Sequence, residues 1–151
     1  MCRILIAFAF LFVAARAPAA TGNGDVMAPV QQLFDSFNKG DATTAAAGCS
    51  SVEHIIDDFP PYEWHGLGAC AAWMSGYKSY AAANGISDMI VALSKPRHID
   101  VTGEFAYVVV PANYTLKKRG KVVTSTNSIV TVALRKEATG WRIIGWAWAD
   151  A

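Results

Sequence analysis

Residues 104–149 read EFAYVVVPANYTLKKRGKVVTSTNSIVTVALRKEATGWRIIGWAWA, and this stretch decides the fold class. It contains three segments rich in Val, Ile, Thr and aromatic residues, which are the residue types that favour strands. The turns between the segments are short and contain Gly120 and Gly140. Strands joined by short turns pair antiparallel. The stretch therefore predicts a three-stranded antiparallel meander.

The residues before the meander have the spacing of helices as well as of strands. Apolar residues recur at intervals of three and four within 30–37 and 67–83, so each segment predicts a helix with one buried face. Between them, Asp41 can cap a short Ala-rich helix. Strands are predicted over 51–59 and 89–94. Helices followed by hairpin-linked strands are typical of the α+β class, because a parallel sheet needs helices that alternate with strands.

The first residues have the pattern of a secretory signal peptide. Arg3 precedes an unbroken apolar run over 4–15, and Ala17 and Ala19 place small residues where signal peptidase cleaves. The apolar run is shorter than the roughly 20 residues that cross a bilayer. The sequence therefore predicts a signal peptide over 1–19 that is removed on export.

The segment that remains after cleavage is expected to be a single domain over 26–151, preceded by a flexible leader over 20–25. Removal of the two arginines of the signal changes the net charge from +1 to −1, with 11 basic and 12 acidic residues remaining. A chain so close to neutral is not a dedicated nucleic-acid binder. We expect a periplasmic or secreted protein that binds neither nucleic acid nor, after cleavage, a membrane.

Two cysteines, Cys49 and Cys70, remain in the mature chain. Thiols are normally oxidised in exported proteins. A disulfide between them would close a loop of about twenty residues. The alternative is two separate buried thiols, since free Cys is often a small core residue. We expect the disulfide.

The order of the predicted elements resembles the nuclear-transport-factor-2-like superfamily, which includes ketosteroid isomerases, scytalone dehydratase and the SnoaL-like polyketide cyclases. The segments that carry the resemblance are FDSFNKGD at 34–41, WHG at 64–66 and WRI at 141–143. The resemblance implies an α+β cone, in which a curved antiparallel sheet wraps around three N-terminal helices and leaves an open pocket. Fold alone does not specify what such a pocket holds.

The segment EHIIDD at 53–58 is the first candidate for chemistry. In the isomerases a general-base Asp ends the corresponding strand, just ahead of a proline, and by resemblance Asp57 or Asp58 takes that place. Burial in an apolar pocket raises the pKa of a carboxylic acid and suits it to proton transfer near neutral pH. Neighbouring residues of a strand face opposite sides, so only one Asp points inward, and the pattern does not choose between them. His54 is the third candidate catalytic residue; alternatively, one Asp caps the turn at Pro60 and the other is solvated.

Two other positions depart from the isomerase pattern. The Tyr and the protonated Asp that stabilise the enolate oxygen in those enzymes are replaced by Leu33 and by Ser128 or Ile129. We therefore do not expect ketosteroid isomerase activity. A dehydratase that combines His and Asp with a tyrosine donor, Tyr62 or Tyr107, remains open.

Aromatic and amide side chains mark the candidate ligand-binding surface. Phe105, Tyr107 and Asn113 share one face of a predicted strand, and Asn127 belongs to the next strand. Such a face suits a small-molecule pocket, but it equally suits a solvated outer face. The ligand-binding candidates are Tyr62, Trp64, Trp73, Tyr107, Asn113 and Asn127.

The sequence has no pattern typical of a metal centre or of a nucleophilic active site. It contains three histidines but no HExxH, no paired CxxC and no GxSxG. We therefore expect neither a metal nor another cofactor.

The last strand carries three tryptophans. Simple alternation places Trp146 and Trp148 on one side and Trp141 on the other. Aromatic side chains on both faces need cover, so we expect a homodimer that forms through the sheet and buries Trp146 and Trp148.

Taken together, these features predict an exported domain that binds a small apolar molecule. Two alternatives remain. One is an enzyme of the isomerase or dehydratase type that transfers a proton through Asp57 or Asp58. The other is a non-catalytic dimeric envelope module that binds a partner through the tryptophans of its last strand.

Overall fold

A computed structural model describes residues 22–150, so the predicted signal peptide over 1–19 lies outside the described residues. No helix within the described range is both long and apolar enough to cross a membrane. The helices are α1 (Gly22–Lys39), α2 (Ala42–Ala47) and α3 (Ala69–Asn84). The strands are β1 (Cys49–Ile56), β2 (Glu63–Leu67), β3 (Ile86–Leu93), β4 (His98–Thr102), β5 (Phe105–Lys118), β6 (Lys121–Glu137) and β7 (Gly140–Ala149).

The described strands form one sheet with the order β2-β1-β7-β6-β5-β3, and β4 pairs with β5 beside that path. Strands β5, β6 and β7 form the predicted antiparallel meander. Strand β1 runs parallel to β7, so the sheet is mixed, not antiparallel throughout as expected. The difference arises because β1 and β7 are not hairpin neighbours; a long crossover through α3 and the other strands connects them. The α+β class is confirmed.

The helices cover the inner face of the sheet and form the core with it. Helix α1 contributes Val26, Val30 and Leu33, which are fully buried. At its end, the Asn38 amide donates to the Val91 carbonyl and accepts from the Val91 amide, both at 2.8 Å, and so fixes α1 to β3. The helix begins at Gly22, within the segment for which the sequence predicts a flexible leader.

Helix α3 is attached to β1 at two adjacent points. The predicted disulfide between Cys49 and Cys70 is present, with 6.6 Å between the Cα atoms. Gly68 precedes the helix and has no side chain to cap it, so Glu53 accepts a hydrogen bond from the Ala69 amide at 2.8 Å instead. A carboxylate is favourable there because a helix N-terminus carries unpaired N–H groups and partial positive charge.

An extra residue in β7 changes the direction of its side chains. Ala133 of β6 pairs with Gly145, whereas the next residue of β6 pairs with Ile143, so Ile144 has no partner in the register. Such a bulge reverses the alternation of the strand. Trp141 and Trp146 therefore both point into the core.

The bulge corrects the expected placement of the tryptophans. Trp146 packs edge-on against Trp73, with 4.8 Å between ring centroids, and Trp148 lies partly buried 6.3 Å from Phe34. Neither tryptophan lies on the outer face of the sheet. Gly145 itself passes close to β1, where a Cβ atom would lie 2.7 Å from the His54 carbonyl oxygen.

Candidate functional site

A cavity of about 230 Å³ lies between the helices and the inner face of the sheet. Its walls are mainly aromatic and aliphatic, with two acids and one lysine among them. The lining residues are Phe34, Phe37, Asp57, Asp58, Phe59, Trp73, Tyr77, Tyr80, Ile86, Met89, Val91, Tyr114, Leu116, Lys118, Val123 and Trp148.

Asp57 places a buried carboxyl group in this wall. It follows directly after β1 and continues the alternation in which Glu53 and Ile55 point inward, and it is only 8% exposed. One carboxyl oxygen, Oδ2, accepts from Trp73 Nε1 at 2.6 Å, and the other, Oδ1, accepts from the Asp58 backbone N–H at 2.7 Å. Burial raises the pKa of Asp57 to about 7 although both hydrogen bonds favour the charged form. Near neutral pH the group therefore exists in both protonation states.

A tight turn after β1 holds Asp57 in place. The Asp57 backbone N–H donates to the Tyr62 carbonyl at 3.1 Å, and the Tyr62 N–H donates to the Phe59 carbonyl at 2.8 Å. The Phe59 side chain turns inward and packs against Trp64, with 4.8 Å between ring centroids. The turn thus places an acid and an aromatic ring on the same side of the cavity.

Tyr77 lines the cavity one helical turn after Trp73. Its ring packs between Phe37 and Phe59, at centroid distances of 5.0 and 5.6 Å. Its hydroxyl is buried and has no hydrogen-bond partner among the described residues. Burial, with smaller contributions from the negative charges of Asp57 and its neighbour, raises the pKa of Tyr77 to about 12.

Asp150 organises another wall of the cavity. It accepts from Tyr114 Oη at 3.0 Å and from Trp148 Nε1 at 3.1 Å, and Ser128 Oγ donates to it as well. Burial and the hydrogen bond to Asp150 raise the pKa of Tyr114 to about 12, so its hydroxyl stays protonated. Two aromatic lining residues are thereby fixed by one acid.

The three candidate catalytic residues separate on β1 and the turn that follows it. Asp57 points inward, whereas Asp58 is exposed and borders the cavity. His54 lies on the opposite, exposed face, where its ring stacks on His65 at 6.1 Å. The inward residues here have odd numbers, and an even-numbered residue such as His54 cannot reach the cavity from this strand.

Of the six candidate ligand-binding residues, only Trp73 lines the cavity in the described part of the chain. Tyr62 and Tyr107 are 57% and 47% exposed. Trp64 is buried beneath the turn, outside the cavity wall. The face of β5 that carries Tyr107 is the outer one, because its even-numbered residues point into the core.

The two candidate asparagines lie at an irregularity between β5 and β6. Ala112 pairs with Ser128, but Tyr114 pairs with Ser125, so Asn113 and Asn127 fall where the register shifts. The extra residue belongs to β6, so β5 keeps its alternation and Tyr114 stays on the inner, even-numbered face that lines the cavity. Sequence reasoning missed Tyr77 as a site residue, although its spacing of four from Trp73 places both on one helix face.

One group of metal-ligating residue types is close together within residues 22–150. The ligand atoms of Cys49, Glu53 and Cys70 lie within 4.8 Å of one another. The two sulfurs are joined in the disulfide and Glu53 caps α3, so these groups already have structural partners.

Several solved structures have a similar fold. A nuclear-transport-factor-2-like protein with a cystatin-like fold from Novosphingobium aromaticivorans matches 85% of this chain and 81% of its own, at a TM-score of 0.69 and 16% identity. A ketosteroid isomerase-like protein from Erwinia carotovora atroseptica matches 87% of this chain and 97% of its own, at a TM-score of 0.68 and 16% identity. A nuclear transport factor 2 superfamily protein from Salmonella enterica matches 84% and 89%, at a TM-score of 0.69 and 18% identity.

No protein-family model matches the chain, and no curated protein matches its sequence. The structural likeness shows that the chain has the nuclear-transport-factor-2-like fold, as the sequence resemblance predicted. At these identities it shows the fold alone.

Proposed function

We propose that this domain binds a small, largely apolar molecule in the cavity beneath its helices. The observation that supports the proposal is the cavity itself, whose walls are mainly aromatic and aliphatic and also carry two acids, one lysine and three tyrosines. Apolar walls supply affinity by removing ligand surface from water, and a few placed polar groups orient the ligand.

Calorimetric titration with tetralin, an apolar molecule of two fused rings, tests this proposal. Met89 lines the cavity, whereas its neighbour Ile90 is 50% exposed. We expect wild type and Ile90→Trp to bind tetralin equally, and Met89→Trp to bind it at least tenfold more weakly because the larger side chain fills the cavity. Equal binding by Met89→Trp would place tetralin elsewhere and contradict the proposal.

A second candidate function is proton transfer by Asp57. This buried acid borders the cavity, and its pKa of about 7 lets it take up and release a proton near neutral pH. A similar fold in a ketosteroid isomerase-like protein is compatible with this chemistry. The enolate-stabilising pair of those enzymes is still missing, since Leu33 is buried in the core and Ser128 donates to Asp150.

Hydrogen exchange of 1-tetralone in D₂O tests the second candidate. The ionised Asp57 carboxylate would remove a proton from the carbon beside the carbonyl, exchange it with solvent and return a deuteron. We expect the rate to rise with pH through about 7 and to fall by roughly 10²-fold or more in Asp57→Asn. Asp58→Asn should keep the activity; a wild-type rate equal to that of buffer eliminates this candidate.

Export and self-association are also part of the proposal. The disulfide between Cys49 and Cys70 is compatible with an oxidising compartment, and the signal pattern over 1–19 supports export. Homodimer formation through the sheet remains a prediction. The tryptophans of the last strand no longer support it, because they lie inside the domain. The partner-binding alternative also loses its contact surface, because Trp146 is buried and Trp148 partly buried inside the domain.

A further inference from the structure

Asp57 brings a negative charge into the cavity wall whenever it ionises. It is buried, whereas the other charged residues of the described wall, Asp58 and Lys118, are exposed to water. A carboxylate that has been removed from water is unfavourable unless a cation or further hydrogen bonds compensate its charge. The ion pairs within residues 22–150 do not do so: they join Glu63 with His65, Asp88 with Lys117 and Glu137 with Arg135, none of which lines the cavity.

The Asp57 carboxyl group also has acceptor capacity to spare. Oδ2 accepts from Trp73 Nε1 and Oδ1 accepts from the Asp58 N–H, so each oxygen has one donor. An ionised carboxylate offers about four acceptor sites. A donor on a ligand can therefore bind Asp57 without displacing the Trp73 indole.

Aromatic rings extend from Asp57 along the cavity wall. Trp73 packs against Phe37, with 5.1 Å between ring centroids, and the Tyr77 ring lies between Phe37 and Phe59. The faces of such rings carry partial negative charge and attract cations. An aromatic wall beside a buried carboxylate therefore favours a cation with an apolar body, and the same carboxylate repels an anion.

We propose that the ligand of this cavity is an organic amine: a molecule with an apolar ring body whose protonated amine pairs with the Asp57 carboxylate. The inference rests on the proposed binding function and names its ligand class. The ammonium group supplies both the positive charge and the hydrogen-bond donors that a buried carboxylate can use.

Asp57 makes the affinity for such an amine depend on pH. Its pKa is about 7, so below that pH the bound ammonium must first expel a proton from the carboxyl group. An alkyl ammonium group itself stays charged up to about pH 10. The affinity should therefore rise roughly tenfold between pH 6 and pH 8.

The other titratable groups of the cavity wall do not predict this dependence. Tyr77 and Tyr114 have pKa values of about 12 and stay neutral over this interval. No histidine is among the lining residues of the described chain. Elements α1, β3, β6 and β7 contribute only apolar or indole side chains; the remaining titratable groups are Asp58 of the turn, Tyr80 of α3 and Lys118 of β5.

Three probes with the same ring skeleton test the inference by calorimetry: tetralin is neutral, 2-aminotetralin is a cation and tetralin-2-carboxylate is an anion. At pH 8 we expect wild type to bind 2-aminotetralin at least about tenfold more tightly than tetralin, as a charge-assisted hydrogen bond implies. It should bind tetralin-2-carboxylate more weakly than tetralin. A change to pH 6 should weaken the binding of 2-aminotetralin and not that of tetralin.

Asp57→Asn removes the charge and keeps one oxygen acceptor in the cavity wall. This variant should bind tetralin at least as tightly as wild type and lose both the preference for 2-aminotetralin and its pH dependence. Asp100→Asn, at an exposed position on β4, is the matched control and should keep both. Thermal unfolding shows whether each variant is folded, and the wild-type pH profile tests the same pair without any substitution.

The possible failures are distinguishable. Equal affinity of wild type for tetralin and 2-aminotetralin at pH 8, or a preference for the amine that survives in Asp57→Asn, overturns the inference and leaves cavity binding intact. Tighter binding of tetralin-2-carboxylate than of 2-aminotetralin overturns the cationic ligand class. If no probe binds to wild type, both the binding function and the inference are overturned.

Discussion

The Asp57 carboxyl group shows how one side chain acquires its chemistry from its position. Asp58 has the same side chain and borders the same cavity, but it is exposed to water. Burial favours the neutral form of Asp57 and so raises its pKa to about 7. The segment at 53–58 made Asp57 and Asp58 candidates for an acid in the pocket, beside the alternative that one caps the turn and the other is solvated. Which of the two acids lies in the pocket depends on which face of β1 packs against the helices. The sequence of β1 alone does not specify that face.

The free energy of unfolding should depend on the ionisation of Asp57. Its pKa rises from 3.8 to about 7 on folding, so the protonated form is the more stable one in the folded protein. This contribution is complete below pH 3.8 and is lost as pH rises to about 7. Over that interval the wild type should lose on the order of a few kcal/mol from this group.

Urea unfolding at several pH values between 4 and 8 measures this dependence. Asp57→Asn should lose less stability as pH rises than wild type does. A smaller slope will remain, because burial also raises the pKa of Glu53. Asp100→Asn, at an exposed position on β4, should keep the wild-type slope. An unchanged slope in Asp57→Asn would show that another group causes it.

At the scale of elements, the attachment of α3 to β1 determines where Trp73 and Tyr77 point. Glu53 from β1 caps the helix, and the disulfide holds its first turn. The Glu53 side chain of β1 thus supplies the cap that Gly68, which precedes α3 and has no side chain, cannot supply. Displacement of α3 would therefore move the cavity wall and also the Trp73 indole that donates to Asp57.

Removal of the Glu53 carboxylate should destabilise the fold. Glu53→Ala leaves the buried Ala69 N–H unpaired and should cost about 1–3 kcal/mol of unfolding free energy. Glu53→Gln keeps one oxygen acceptor and should cost less. Glu63→Ala on β2, where the side chain is exposed, should be close to neutral. Chemical denaturation of the three variants at pH 7 measures these differences; equal stability of Glu53→Ala and wild type would contradict the capping role.

The disulfide should contribute to stability independently of any ligand. Replacement of both Cys49 and Cys70 by Ala should lower the free energy of unfolding by about 3 kcal/mol in the chain-entropy estimate. Denaturant unfolding of the double variant beside wild type measures the loss. A loss below about 1 kcal/mol would mean that other contacts restrain the same helix.

Sequence periodicity predicted the long elements and failed for features that depend on pairing. Helices α1 and α3 and the meander have apolar patterns long enough to recognise, whereas the short helix α2 was predicted from its Asp41 cap and its Ala content. Strands β2 and β4 have five residues each, too few for a clear alternation. The parallel pairing of β1 with β7 and the bulge at Ile144 depend on a partner strand, so they could not be found within one segment.

At the scale of the whole molecule, the outer face of the sheet decides whether the protein associates. Phe105 and Tyr107 on β5 are 57% and 47% exposed. Aromatic residues exposed side by side are typical of interaction surfaces. The predicted homodimer would have to cover them.

Sedimentation at micromolar concentration tests the dimer. We expect wild type to sediment as a dimer and Tyr107→Glu as a monomer, because a charge on the covered face costs desolvation free energy. Val122→Glu, on an exposed side chain near the turn between β5 and β6, should remain dimeric. A monomeric wild type would contradict self-association through the sheet.

The predicted removal of the signal peptide on export can be tested on the full-length chain. Intact-mass analysis of the protein expressed with its full sequence should find an N-terminus near Ala20, after loss of residues 1–19. Retention of Met1 at that end would rule out the cleavage predicted from the sequence.

Because Ile144 has no partner in β6, the direction of the side chains along β7 depends on the number of residues in the strand. Which tryptophans point inward depends on the number of residues between Gly140 and Trp146, and not on the identity of Ile144 itself. A substitution at Ile144 should therefore be tolerated better than its deletion. Deletion by one residue would turn either Trp141 or the pair at 146 and 148 out to solvent. Variation by insertion or deletion is consequently restricted in β7 far more than variation by substitution.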